Sequence, residues 1–335
     1  MESDKNHLNI VVIGSGTMGT ALAHVIASAG HSCTLLTDNI VVAESINTTH
    51  RHPVFFEGLT INERVKGAIT FDDYIPYGEL LVMAVPSYNM REVARKIKHL
   101  TNAHQSVLSV TKGFEPVTHK LMSKVLREEL ETSHIGTLSG PNITVDLVKN
   151  LPTTLLVSST SQQMLDHGQL AFSSSTVNVA VSKDIQTFEY ISALKNCVAI
   201  EVGIVTGLGL GDNFRALVLA KGMAEICHLL KRMGLHATEF YGLAGLSDIF
   251  LTCSSNFAKN YTIGLQLGSG ASLPQLLDTL KKGGEVAEGL ESVKAGHSLA
   301  QEFGYEAPLL EATHAFIYQN ANGEFSTDHF VSAVR

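Results

Sequence analysis

Charge stands in two places where apolar neighbours leave little room for it. Lys195 and Asn196 lie inside the run YISALKNCVAI at 190–200, and Asp248 lies inside GLAGLSDIFLT at 242–252. A charged side chain in such a run is paired, reaches for water, or has a chemical task. Lys195 and Asp248 are natural ion-pair partners, and a plain structural salt bridge is the competing reading. Lys112 follows the apolar segment SVLSV at 106–110, where a surface lysine is the bland alternative. Desolvation favours a neutral amine, which suits a group that must hand on a proton. Such an ammonium can stabilise and protonate an oxygen that turns negative as a carbonyl is reduced. Further along, Lys259 and Asn260 have the right types to grip a small anion.

Chemistry of this kind needs a hydride source, and the N-terminal segment supplies a candidate. Gly14, Ser15, Gly16, Thr17, Met18 and Gly19 have the spacing G-x-G-x-x-G, after an apolar run and before residues at helical spacing. Gly14 allows a tight turn, Gly16 admits a pyrophosphate to the backbone, and Gly19 lets helix and strand pack closely. The helix N-terminus then offers N–H groups and a partial positive charge. Asp38 follows the next strand-like segment and can accept hydrogen bonds from both ribose hydroxyls while repelling a 2′-phosphate. No Arg or Lys lies between Leu35 and His50, so NAD is the expected cofactor, with NADP as the alternative. A helix or turn cap is the other reading of Asp38. Pro86, after Val85, is expected to shape the space beside the nicotinamide.

These residues need a scaffold. Strands are expected at Ile10–Ile13, Ser32–Leu36, Leu80–Val85, Ser106–Val110, Ile135–Leu138, Thr154–Val157 and Val177–Val181, with helices at Met18–Ser28 and Met90–His99. Short apolar runs alternating with helices predict an α/β fold, a Rossmann-like doubly wound sheet. After residue 186 the pattern turns helical: Phe188–Gly203, Asn213–Met233, Ala258–Gly268, Leu273–Lys281, Gly289–Phe303 and Leu309–Tyr318. Residues 1–186 are therefore read as a dinucleotide-binding domain and 187–335 as an all-helical catalytic domain.

Composition narrows the classes. The 335 residues carry 24 basic and 32 acidic side chains, a net charge of −8, and no run of Lys or Arg exceeds two. A nucleic-acid groove is not expected. The apolar run before Gly14 is too short for a signal-peptide core, and no stretch is long enough for a membrane helix. Cys33, Cys197, Cys227 and Cys253 lie far apart and read as buried small hydrophobes. His50 and His52 fall in a polar, Pro-containing loop, and no metal site is expected.

Together the motifs resemble the NAD(P)-dependent glycerol-3-phosphate dehydrogenase family. The resemblance rests on GSGTMGTALA (14–23), VPS (85–87), TKGFEP (111–116), SGPN (139–142), LPTT (151–154), ALKNCVAI (193–200), GLGLGDNFRA (207–216), GLAGLSDIFLTCSSNFAKN (242–260) and VAEG (286–289). It implies that Lys195 is the general acid/base, with Lys112 and Asp248 as polar partners. Asn196, Thr252, Lys259 and Asn260 match substrate-contacting positions, and Lys112, Asn260 and Glu288 match positions near the cofactor. It further implies dihydroxyacetone phosphate as substrate, catalysis in a cleft between two domains, and a cytoplasmic homodimer whose product feeds glycerophospholipid synthesis. The chain departs from the pattern where Lys259-Asn260-Tyr261 stands for the family's Arg-Asn-Arg. A lysine offers a point charge where arginine offers a planar fork. The alternatives are a reductase of another small hydroxy-ketone and a non-catalytic nucleotide-binding relative.

Overall fold

The computed structural model describes residues 7–254, 258–282, 287–319 and 327–334. The chain divides into two compact units, one of Met1–Thr111 with Lys120–Ile185, the other of Lys112–His119 with Gln186–Arg335.

The first unit is built on an eight-stranded sheet in the order β3-β2-β1-β4-β5-β6-β7-β8. The strands are β1 (Asn9–Ile13), β2 (Ser32–Leu36), β3 (Val65–Ala68), β4 (Leu80–Met83), β5 (Ser106–Ser109), β6 (Ile135–Ser139), β7 (Thr153–Ser159) and β8 (Val177–Ser182). Every pair is parallel except β6 with β7, which run antiparallel. The strand order reverses direction between β1 and β4, so their C-terminal ends open a crevice.

The period of two along each strand explains the continuous apolar runs. Ile10, Val12, Leu80, Val82 and Leu108 join one core with Ala21–Ala27 of helix α1 (Thr17–Ser28). Val11, Ile13, Leu81, Met83 and Val107 turn to the opposite face. There they meet Met90, Ala94 and Ile97 of α3 (Met90–Ile97) and Met122 and Val125 of α4 (Met122–Glu129). Each such side chain taken fully out of water contributes about 1.5–3 kcal/mol. Helix α2 (Ile40–Thr49) begins at Asn39, whose side chain accepts from the Val41 amide at 3.0 Å. Helices α5 (Thr144–Val148) and α6 (Gln162–Phe172) complete this unit. Strand β3 was not expected from sequence, because Lys66 and Gly67 interrupt its apolar pattern at the sheet edge.

From Gln186 onward every regular element among the described residues is helical. Helix α7 (Ile185–Gly207) is buried on all sides from Ile191 to Val205, longer at both ends than the sequence pattern predicts. It is followed by α8 (Gly211–Arg232), α9 (Asp248–Ser254), α10 (Lys259–Gly268), α11 (Leu273–Lys282), α12 (Glu288–Glu302), α13 (Pro308–Tyr318) and α14 (Thr327–Val334). Among the described residues no helix is long and apolar enough to cross a membrane, and no group of three His, Cys, Asp or Glu could hold a metal. Cys33, Cys197 and Cys227 are buried free thiols, whereas Cys253, expected to be buried, is only partly so.

Candidate active site

The glycine-rich loop lies at the sheet's switch point. Gly14 has φ +108°, a conformation L side chains rarely adopt, and a Cβ there would sit 2.5 Å from the Ala84 carbonyl oxygen. Gly19 is closer still, since a Cβ would lie 1.9 Å from the Gly14 carbonyl oxygen. Gly16 differs from both, because a Cβ on it meets nothing within 4 Å. The open space above Gly16 is what a phosphate needs. Gly16 also caps α1 without a side-chain hydrogen bond, so the cap residue offers no side-chain oxygen to the leading N–H groups. Thr17 and Met18 form the first turn, both half-buried. These features fit a dinucleotide.

Asp38 is exposed just beyond β2, and the cap of the following helix is Asn39 instead. Asp38 is therefore not the helix cap. Pro86 is half-buried at the start of a short 3-10 turn, Ser87–Asn89, after β4. Thr111, beyond β5, donates to the Val85 carbonyl, joining the loops after β4 and β5.

The second unit assembles the charged residues. Lys112 Nζ donates to Asp248 Oδ2 at 2.8 Å, and Lys195 Nζ lies 3.2 Å from Asp248 Oδ1. All three side chains are largely buried, Lys195 to 5 % exposure. Lys195 Nζ also donates to Thr252 Oγ1 at 3.2 Å, and that hydroxyl donates to the Asp248 carbonyl at 2.6 Å. Asn196 donates from Nδ2 to the Lys112 carbonyl at 3.3 Å, fixing the segment that carries Lys112. Burial pushes the Asp248 carboxyl up, but the two ammonium groups outweigh it and hold it below its usual range. Burial, with the charge of Lys195, lowers Lys112 against the pull of Asp248. One carboxylate between two ammonium groups leaves the cluster one positive charge in excess, in a place poor in water.

Local backbone features hold these groups in place. A π-helical turn, Leu243–Ser247, precedes Asp248, and Gly245 there would bring a Cβ to 1.9 Å from the Phe240 carbonyl oxygen. Such turns concentrate at functional sites. Helices α7 and α10 touch backbone to backbone through Gly203 and Gly207 on one and Gly264 and Gly268 on the other. Any Cβ at these four positions would lie within 2.3 Å of the opposing helix's backbone oxygens. This contact sets the position of Lys259, exposed at the start of α10, and of half-buried Asn260. Asn260 Oδ1 accepts from the Gly289 amide at 3.2 Å, next to half-buried Glu288 at the start of α12.

The sequence reading thus named residues that meet in Lys112, Asp248, Lys195, Thr252 and Asn196, and a second group in Asn260 and Glu288. It missed Gly245, the two glycine pairs and His52. The pairs were visible as GIVTG (203–207) and GLQLG (264–268), four-residue spacings that permit close helix approach. The polar loop expected around His52 instead buries that ring, which is 8 % exposed.

Comparison with known proteins agrees with this arrangement. Residues 9–165 match the model of the NAD-dependent glycerol-3-phosphate dehydrogenase N-terminus, and residues 184–326 match that of its C-terminus. The motif positions 255–257 and Val286 lie outside the described residues. A glycerol-3-phosphate dehydrogenase (NAD(P)+) of Staphylococcus saprophyticus is 32% identical over 93% of this chain and 94% of its own. One of Teredinibacter turnerae is 34% identical over 94% and 92%. The crystal structure of glycerol-3-phosphate dehydrogenase from Coxiella burnetii superposes with a TM-score of 0.87 at 27% identity, covering 98% of both chains. With the loop, the charge cluster and both family models in register along one chain, the protein belongs to the NAD-dependent glycerol-3-phosphate dehydrogenase family.

Proposed function

We propose that the protein reversibly reduces dihydroxyacetone phosphate to sn-glycerol 3-phosphate with NADH or NADPH. The observation that carries this reading is the surplus positive charge of the Lys112–Asp248–Lys195 cluster. Reducing a ketone builds negative charge on its oxygen. Fixed positive charge at that oxygen stabilises the transition state more than the ground state. The nicotinamide, when bound, supplies a hydride to C2. Lys195 has three N–H donors, of which Asp248 and Thr252 engage two. The third is left to meet the substrate oxygen, stabilise it and protonate it. Asp248 and Thr252 orient the ammonium, and Lys112 adds the second cation.

Lys259 and Asn260 are assigned to the substrate phosphate. The loop Gly14–Gly19, with Ser15, Thr17 and Met18, is assigned to the cofactor together with Asp38, Pro86, Lys112, Asn260 and Glu288. Asp38, exposed and not the helix cap, supports NAD over NADP. The family resemblance adds a cytoplasmic homodimer that feeds glycerophospholipid synthesis. Lys259 and Tyr261, where the family places arginines, favour a second reading: reduction of another small hydroxy-ketone.

The test is oxidation of NADH and NADPH by dihydroxyacetone phosphate, unphosphorylated dihydroxyacetone and a panel of other small hydroxy-ketones. A kcat/KM for dihydroxyacetone phosphate higher by orders of magnitude supports the first reading. Preference for another ketone replaces it with the second, and cofactor binding without turnover on any ketone ends both.

A further inference from the structure

His52 occupies a position that the reaction scheme does not use. Its Nε2 faces the Ser15 carbonyl at 3.0 Å, and its Nδ1 faces the amides of Val54 at 3.2 Å and Phe55 at 3.0 Å. Two backbone N–H groups aimed at Nδ1 require it to accept, so the ring's single proton sits on Nε2 and is donated to Ser15. The Phe55 ring stacks on the imidazole at 4.7 Å. Ser15 is held from other sides as well, its carbonyl by the Thr20 hydroxyl at 3.2 Å and its own hydroxyl by Thr37 at 2.7 Å.

The geometry gives this contact a consequence for the phosphate site. In a trans peptide the C=O and the following N–H point in opposite directions. Drawing the Ser15 carbonyl inward to His52 turns the Gly16 N–H away from the ring, at a residue whose Cα side is open, since a Cβ there would meet nothing within 4 Å. We infer that the neutral His52 imidazole is a positioning residue that holds the glycine-rich loop in its cofactor-binding shape, and that dinucleotide binding weakens when the ring takes up a second proton. The inference rests on the assignment of this loop to the cofactor.

The sign follows from the partners. A proton on Nδ1 puts a donor against two donors, so the charged ring is incompatible with the loop as built. Burial lowers the ring from its ordinary 6.5, and the Ser15 carbonyl only partly offsets this. The titratable groups nearest it in sequence are His50, Arg51 and Glu57 on its own loop, and Asp38 follows Thr37. The causes of the ring's shift are burial and, opposing it, the Ser15 carbonyl, with no charged side chain among them. The loop is ordered above the ring's titration and loosens as pH falls through it.

The experiment measures NAD+ affinity by calorimetry between about pH 5 and 8, the range of imidazole titration. Wild type, His52→Asn and Gly16→Ala are compared, with 15N-histidine NMR on the wild type. Asn keeps an acceptor for the two amides but cannot reach Ser15 and does not titrate. Wild-type Kd is expected to be flat at high pH and to rise toward about tenfold per unit below the ring's pKa. His52→Asn is expected to bind a few-fold more weakly with no such rise. NMR is expected to show the proton on Nε2 and a ring pKa that drops further when NAD+ is bound. If His52→Asn keeps the wild-type pH profile, or the ring titrates alike with and without NAD+, the inference fails. If Gly16→Ala folds and binds NAD+ normally, the assignment of the loop itself fails.

Discussion

The glycine-rich loop of the first unit and the charge cluster of the second solve opposite problems. The glycine-rich loop, proposed to hold a highly charged cofactor, has no charged side chain of its own between Gly14 and Gly19. In that proposal side chains are removed so that backbone N–H groups and one helix end meet the phosphates. The Lys112–Asp248–Lys195 cluster buries three full charges and uses a helix, a π-helical turn and the segment after β5 to hold them together. A ground-state anion of fixed shape is met by backbone. A charge that exists only while a bond is being remade is met by groups that can also move a proton. The loop is therefore sensitive to added volume, and the cluster to lost charge.

That contrast can be broken at either end. Lys195→Ala is expected to have the largest effect, lowering kcat by about 100- to 10,000-fold with cofactor affinity unchanged. Steady-state kinetics beside calorimetric NAD+ binding would show it, and near-normal kcat would remove Lys195 from the chemistry. Asp248→Ala leaves two buried ammonium groups without their carboxylate. It should cost about 3–5 kcal/mol of stability, read from urea unfolding. In the loop, Gly19→Ala forces a methyl into the Gly14 carbonyl and should lower the melting temperature, whereas Gly16→Ala should leave melting alone and weaken NAD+ binding. Equal effects of the two on melting would show that the opening over Gly16 is ordinary packing space. The smallest change is expected from Lys259→Arg. It restores a forked cation and should lower KM for dihydroxyacetone phosphate a few-fold with little change in kcat.

What could be read before folding follows from how local each constraint is. The glycine loop was legible because its spacing is its geometry, one residue for the turn, one for the approach and one for the packing. Strands β1 and β4 were legible because burial on both faces writes an unbroken apolar run, and β5 because Val107 and Leu108 sit between small buried serines. Strand β3 was hidden, since an edge position tolerates Lys66 and Gly67. Lys195 and Asp248 stood out as charges among apolar neighbours, and Lys112 became their partner only once the chain brought residue 112 beside residue 248. His52 gave no signal, because its task is defined by Ser15, 37 residues earlier in the chain. Gly203 and Gly264 likewise gain meaning only from each other.

The short excursion of Lys112–His119 into the helical unit constrains how this protein can be cut and recombined. A gene fragment starting at Gln186 would encode a helical half whose Asp248 faces a single cation. A chimera that swaps C-terminal halves between relatives would take one lysine from each parent. Such hybrids are workable only when the donor of residue 112 and the donor of residue 195 agree on the charge they share.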